Sequence, residues 1–173
     1  MTLLITIIVL ALVFDYINGF HDAANSIATI VSTKVLTPFK AVLWAAFFNF
    51  VAFFIAKYVI GEFGIANTVS KAVIEQYITL PVIFSGIVAA IIWNLATWWL
   101  GIPSSSSHTL IGGFAGAAIM STIIASGYTT SGFESIKAEV IIKIASFIVL
   151  APLIGMMVSS LLTILILYIF KKV

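Results

Sequence analysis

The chain has 173 residues, of which 62% are hydrophobic and 8% charged, where a soluble domain carries roughly a quarter charged residues. At a mean hydropathy of +1.26, a chain this short cannot hide its apolar side chains from water, so its solvent is a bilayer. A cytosolic enzyme, a nucleic-acid binder and a disordered tail are excluded. The net charge of +2 sets eight lysines, and no arginine, against Asp15, Asp22, Glu62, Glu75, Glu134 and Glu139. With no cysteine, disulfides, zinc thiolate sites and thiol catalysis are absent.

Hydropathy predicts about five spanning segments of roughly 20 residues each. They run from Thr2 to about Phe20, Pro38 to Ile60, Leu80 to Leu100, Leu110 to Ala125, and Val140 to Phe170. The last is long enough to tilt, to kink at Pro152, or to begin as an interfacial turn. The first lacks a basic start and an A-x-A-like site, and Asp15 interrupts it, so it reads as a span and not a cleavable signal peptide. An odd number of spans puts the termini on opposite sides. The lysines then divide four against four: Lys57, Lys71, Lys137 and Lys143 face Lys34, Lys40, Lys171 and Lys172. The usual lysine bias does not orient such a chain.

Two stretches between spans are small, hydroxyl-rich and nearly free of lysine: His21–Lys34 and Gly101–Thr109. Each joins directly to apolar helix, which predicts non-helical backbone buried in protein or lining a wet cavity; two short exposed turns are the alternative. The segments Gly61–Thr79 and Tyr128–Lys137 read as ordinary loops, the first with an amphipathic look. Gly112, Gly113 and Gly116 read as a small-residue face for close helix contact. Trp93, Trp98 and Trp99 read as interfacial or core aromatics.

Asp15, Asn18, Asp22, Asn25 and Thr29 recur at spacings of three, four, three and four, which puts all five on one helix face. Asp15 lies about 18 Å along the segment from Leu3 at 1.5 Å per residue. A carboxylate at that depth costs at least about 2.5 kcal/mol and must face a cavity or a partner. Asp22, Asn25 and Thr29 offer carboxylate, amide and hydroxyl oxygens on consecutive turns, the ligand types of a hard cation such as sodium. Interhelical hydrogen bonding accounts equally well for Asn18. Asp15 fits either the stripe or a structural pairing with a lysine. His21 beside Asp22 fits either a proton relay or a helix cap.

A helix beginning at Pro103, where its missing N–H costs nothing, points free N–H groups and a positive dipole end toward Gly101. That is an anion site, and Ser104, Ser105, Ser106, Ser107 and Thr109 add hydroxyl donors. Together they suit a tetrahedral oxyanion without arginine, the usual bidentate clamp, and weak donors suit a carrier that must release its cargo. A serine-rich cap with packing hydroxyls is the alternative. Ser104 and His108 are four apart, as an intramembrane serine hydrolase would require. No G-x-S-x-G elbow is present, however, and a pair on one turn leaves no room for a substrate carbonyl. The chain therefore reads as no enzyme.

Asn18-Gly-Phe-His-Asp-Ala-Ala-Asn-Ser-Ile-Ala-Thr29 and Gly101-Ile-Pro-Ser-Ser-Ser-Ser-His-Thr-Leu-Ile-Gly-Gly113 lie about 80 residues apart. Together they resemble the two signatures of the inorganic phosphate transporter (PiT) family, along essentially the whole chain. The resemblance implies secondary transport of inorganic phosphate in a multi-pass protein of the cell membrane, with no cofactor. Asp22 and Asn25 would be ion and phosphate-site residues, and Ser105, Ser106, Ser107 and His108 fall on the second signature. Ser104 stands where the family is often apolar, and His21 where asparagine is commoner. The His-Asp form looks like the bacterial Pit branch, some of whose members couple to protons and carry phosphate as a neutral metal complex, while others in the family use sodium. Family members contain two related halves in opposite orientation, and this chain holds one copy of each signature. Residues 1–173 therefore read as a single transmembrane domain, one half of an inverted-repeat, all-α transporter. Its second half is expected in the same gene, in a separate chain, or in a second copy within a dual-topology homodimer. The runners-up are a carrier of another oxyanion such as sulfate, and a non-transporting membrane subunit that packs through its serine and glycine faces.

Overall fold

A computed structural model describes residues 1–61 and 71–171. Glu62 and Lys172, counted among the charges above, lie outside the described residues. The helices are α1 (Thr2–Ser32), α2 (Pro38–Ile55), α3 (Leu80–Trp99), α4 (Ser106–Ala125) and α5 (Ala138–Ile169). Among the described residues these five are long and apolar enough to cross a membrane, and the sole β feature is an isolated bridge between Val73 and Ile136. The fold is all-α and polytopic. The chain divides into Met1–Ile136 and Lys137–Val173.

The first correction falls on His21–Lys34. Helix α1 does not end near Phe20 but continues to Ser32. The polar residues do not break it because their hydroxyls turn back onto its own carbonyls: Ser26 donates to Ala23 O at 3.0 Å and Ser32 to Thr29 O at 3.0 Å. It stops where Lys34 takes a left-handed φ of 59°. There the Lys34 and Val35 amides reach back to Val31 O and Ile30 O at 3.0 and 3.1 Å, a Schellman ending. Pro38 opens the first turn of α2, whose run to Ile60 ends in a π-turn over Ala56–Ile60.

The second correction falls on Pro103. Helix α4 begins at Ser106, three residues later. Helix α3 closes through Gly101 at φ 66°, with the Gly101 and Ile102 amides bonded to Trp98 O and Thr97 O at 3.1 and 2.8 Å. Pro103 then holds the residue before it out of helical backbone. Helix α4 starts only where Ser105, in extended backbone, accepts the His108 N–H on its side chain.

Within Met1–Ile136, α3 and α4 form an antiparallel hairpin. Val82, Ala118 and Val73 bury one another there, with Tyr77, Phe114 and Ala117 packed around them. The helices cross at glycine. A Cβ built on Gly113 would stand 2.5 Å from Gly86 O, and one on Gly86 2.8 Å from the Phe114 ring. The glycine reading therefore holds at Gly113 but not at Gly112 or Gly116, which have nothing within 4 Å. Helix α1 lies against α3, where Phe20 meets Trp98 edge-on at a centroid distance of 5.6 Å. Trp99 is exposed. On α2 only Ala41 is buried, and its outward aromatics include Trp44, Phe47, Phe48 and Phe50, an apolar surface suited to lipid.

The Tyr128–Lys137 loop is more ordered than expected. It holds a 3-10 turn at Phe133–Ser135 with Ser135 buried. Glu134, in that turn, is held below the usual carboxylate range by its own backbone amide, then by the Thr130 hydroxyl and the Gly132 amide. Helix α5, taken by itself, has no buried residue and carries Pro152 inside it without ending there.

Gly113→Ala is expected to destabilise the chain by about 1–3 kcal/mol through overpacking, read as a lower melting temperature in detergent. Gly112→Ala, in open space, should raise the melting temperature or leave it unchanged.

Candidate functional site

The two polar stretches meet at the start of α4. The Ser106 hydroxyl, buried, donates to Asn18 Oδ1 and stands 3.4 Å from Asp22 Oδ2. A hydroxyl has one proton to give, so Asn18 and Asp22 share a single donor. This contact links residues 84 and 88 apart in the chain. It joins the stripe on α1 to the serine run through one side chain.

The stripe itself is unevenly placed. Asn18 is half-buried, and His21 beside the stripe is buried with its Nδ1 unpartnered. Asp15, Asp22, Asn25 and Thr29 are exposed at the surface of α1. The structure thus brings Asn18 and Asp22 to Ser106. It leaves Asn25 and Thr29 one and two turns further along α1, and Asp15 about two turns back.

The serine run splits between two sides of α4. Of the four serines, Ser106 is the one hydrogen-bonded to α1. Ser104, Ser105, His108 and Thr109 line a groove of about 470 Å3, whose other wall is Ala89 and Trp93 of α3. Trp93 is therefore neither simply core nor simply interfacial. Gly112 and Gly113 also line the groove, so the missing side chains there leave it open. Thr109 Oγ1 donates to Ser105 O at 2.9 Å and lies 3.4 Å from Ser104 Oγ. Ser107 is half-buried and shares in neither set of hydrogen bonds.

Ser105 has two partners on His108. Its Oγ accepts the His108 backbone N–H at 3.4 Å and meets the ring Nδ1 at 2.8 Å. His108 thus pairs with Ser105 and not with Ser104, and a Ser104–His108 nucleophile pair does not form. Among the described residues no three of His, Cys, Asp and Glu come together to hold a metal ion. The chemistry on offer is oxygen ligation by one carboxylate, amides and hydroxyls, beside a helix N-terminus whose dipole favours an anion.

Asn94 of α3 is a polar residue that sequence reasoning passes over. It is fully buried, at 0% exposure. The available signal was a lone amide in the second half of an otherwise apolar span.

The model of the phosphate transporter family matches residues 18–173, beginning at the asparagine that Ser106 touches. The chain belongs to that family. It is 47% identical over 98% of its length to a probable low-affinity inorganic phosphate transporter of Rhizobium meliloti, and covers 47% of that protein. It is 43% identical over 98% of its length to a protein of the same description in Bacillus subtilis, again covering 47% of it. To the low-affinity inorganic phosphate transporter PitB of Escherichia coli it is 32% identical over 91% of its length, covering 32% of that relative. The chain thus spans about half, or less, of these family members. No solved structure matches it. Family membership makes it a multi-pass membrane protein of a transporter family and not an enzyme.

Ser105→Ala is expected to cost about 0.5–2 kcal/mol by removing the α4 cap, while Ser105→Asp should keep the cap. Melting temperatures in detergent compare the two.

Proposed function

We propose that the chain is one inverted-repeat half of a secondary transporter that carries inorganic phosphate across the cell membrane by cation-coupled symport. The observation that carries this reading is the Ser106 hydroxyl between Asn18 and Asp22. It brings the carboxylate of the first signature to the N-terminus of the helix that opens the second. Membership of the phosphate transporter family and relatives named as low-affinity inorganic phosphate transporters support phosphate as the cargo.

The chemistry follows from the absence of arginine. Phosphate takes hydrogen bonds from the free N–H groups at the start of α4 and from Ser104, Ser105, Ser107, His108 and Thr109. It gains from the positive end of the helix dipole. These donors are weaker than a guanidinium, so release is not slow. A cation held by Asp22 and Asn18, with Asn25 and Thr29 on its path, offsets the negative charge of the cargo. Asp22 and the phosphate repel each other when the cation is absent, so each binds best when the other partner is present, which is the basis of coupling. Five spans permit a second half of like sequence to insert inverted, and rocking of one half against the other gives alternating access.

Asp22→Asn is expected to reduce uptake of labelled phosphate into vesicles to background at unchanged expression. Retained uptake would overturn the assignment and favour a packing subunit. Excess unlabelled phosphate should suppress wild-type uptake, and excess sulfate should not.

A further inference from the structure

Among the described residues, the buried side-chain nitrogen and oxygen atoms without a hydrogen-bond partner are His21 Nδ1 and both polar atoms of Asn94. Leaving a buried amide unpaired costs about 1–3 kcal/mol for each group, so a side chain at 0% exposure with both groups unpaired needs an explanation. Helix packing in apolar surroundings supplies none, because an apolar side chain of similar branched shape, such as leucine, would leave no polar group unpaired.

The register of the bundle places Asn94 at the depth of the site. Val82 clusters with Ala118, and four residues further up α3 Gly86 touches Gly113, about one turn down α4. Two more turns of the same antiparallel pairing bring Asn94 level with Ser105 and Ser106. On the other side, three successive crossings give α1 and α3 the same direction, and Phe20 meets Trp98. Four residues earlier on each helix, Asn94 stands level with Tyr16 to Asn18. The amide therefore lies within about one helical turn, roughly 5.4 Å along the axis, of the Asn18–Ser106 contact. Three helices each bring a polar side chain to one level: Asn18 from α1, Asn94 from α3 and Ser106 from α4. Asp22 supplies the single charge.

We propose that Asn94 Oδ1 is a ligand of the coupling cation, completing an oxygen set with Asp22 Oδ2, Asn18 Oδ1 and Ser106 Oγ for a sodium-sized monovalent ion. The inference rests on the transport reading and adds a third helix to it. One carboxylate matches one positive charge, and amide and hydroxyl oxygens are the neutral ligands a hard cation takes. The amide's N–H2 remains to donate to an anionic oxygen brought in with the ion. A single rigid side chain would then touch both cargoes. The two unpaired polar groups of Asn94 are the energetic counterpart of that role.

The test compares melting temperatures of the purified full chain in sodium and in choline, with and without phosphate, alongside phosphate uptake. Wild type is expected to be stabilised by sodium. Asn94→Leu should melt higher than wild type in choline, since it removes two unpaired polar groups. It should weaken the sodium-dependent increment by about tenfold or more in apparent affinity. Asn94→Asp, which keeps an oxygen of the same reach while adding a second carboxylate, should retain the increment, and the choline melting temperature of Asn94→Leu reports whether that variant folds. A sodium increment unchanged in Asn94→Leu, one lost in Asn94→Asp, or none in wild type overturns the assignment of Asn94. Phosphate uptake that persists in any of these cases leaves the transport reading standing. Absent uptake in wild type defeats that reading whatever Asn94 does.

Discussion

Gly86 and Gly113 let two helix backbones touch, and the rest of the site depends on that contact. A side chain at Gly113 would strike a carbonyl oxygen at 2.5 Å, so the crossing point cannot slide. Once it is set, the antiparallel hairpin has one register. That register carries the start of α4 to α1 and puts the Ser106 hydroxyl, and no other hydroxyl of the serine run, against Asn18 and Asp22. Close packing of small residues is how membrane helices associate without a hydrophobic driving force. Here the same economy of side chains also opens the groove beside Trp93.

The serine run is better understood as two surfaces than as one cluster. Ser104 and Ser105 precede the helix, while Ser106 and Ser107 open it about 100° apart, so the four serines do not share one face. Ser105 caps the helix and orients His108, Ser106 binds the stripe, and Ser104 and Thr109 lie by the groove. On the proposed transport reading, a phosphate at the helix start would meet donors from both sides, with the stripe on one flank and the groove on the other.

Much of the site was legible in the residues. The stripe spacing of three and four on α1 is a helix pattern, and helix it is, as far as Ser32. The expected break after Phe20 is absent because the polarity of this stretch does not make its backbone irregular. Ser26 and Ser32 satisfy themselves on the helix's own carbonyls, a local option that composition does not reveal. The start of α4 at Ser106, three residues past Pro103, has a similarly local cause. Proline is favourable at a first helical turn, but Gly101 and Pro103 act together to keep the chain extended until Ser105 can cap.

The sequence by itself determined the solvent, the number of spans, the polar stripe and the two signatures, because apolar length, residue spacing and residue type are properties of the chain read in order. Tertiary structure decided which members of those signatures meet. It chose Ser106 over its neighbours, gave His108 to Ser105, left Asn25 and Thr29 exposed, and buried Asn94 without a partner. Such choices follow from helix register and rotation. A glycine contact two turns from Asn94 sets them, and no local pattern encodes the angle at which two distant helices cross.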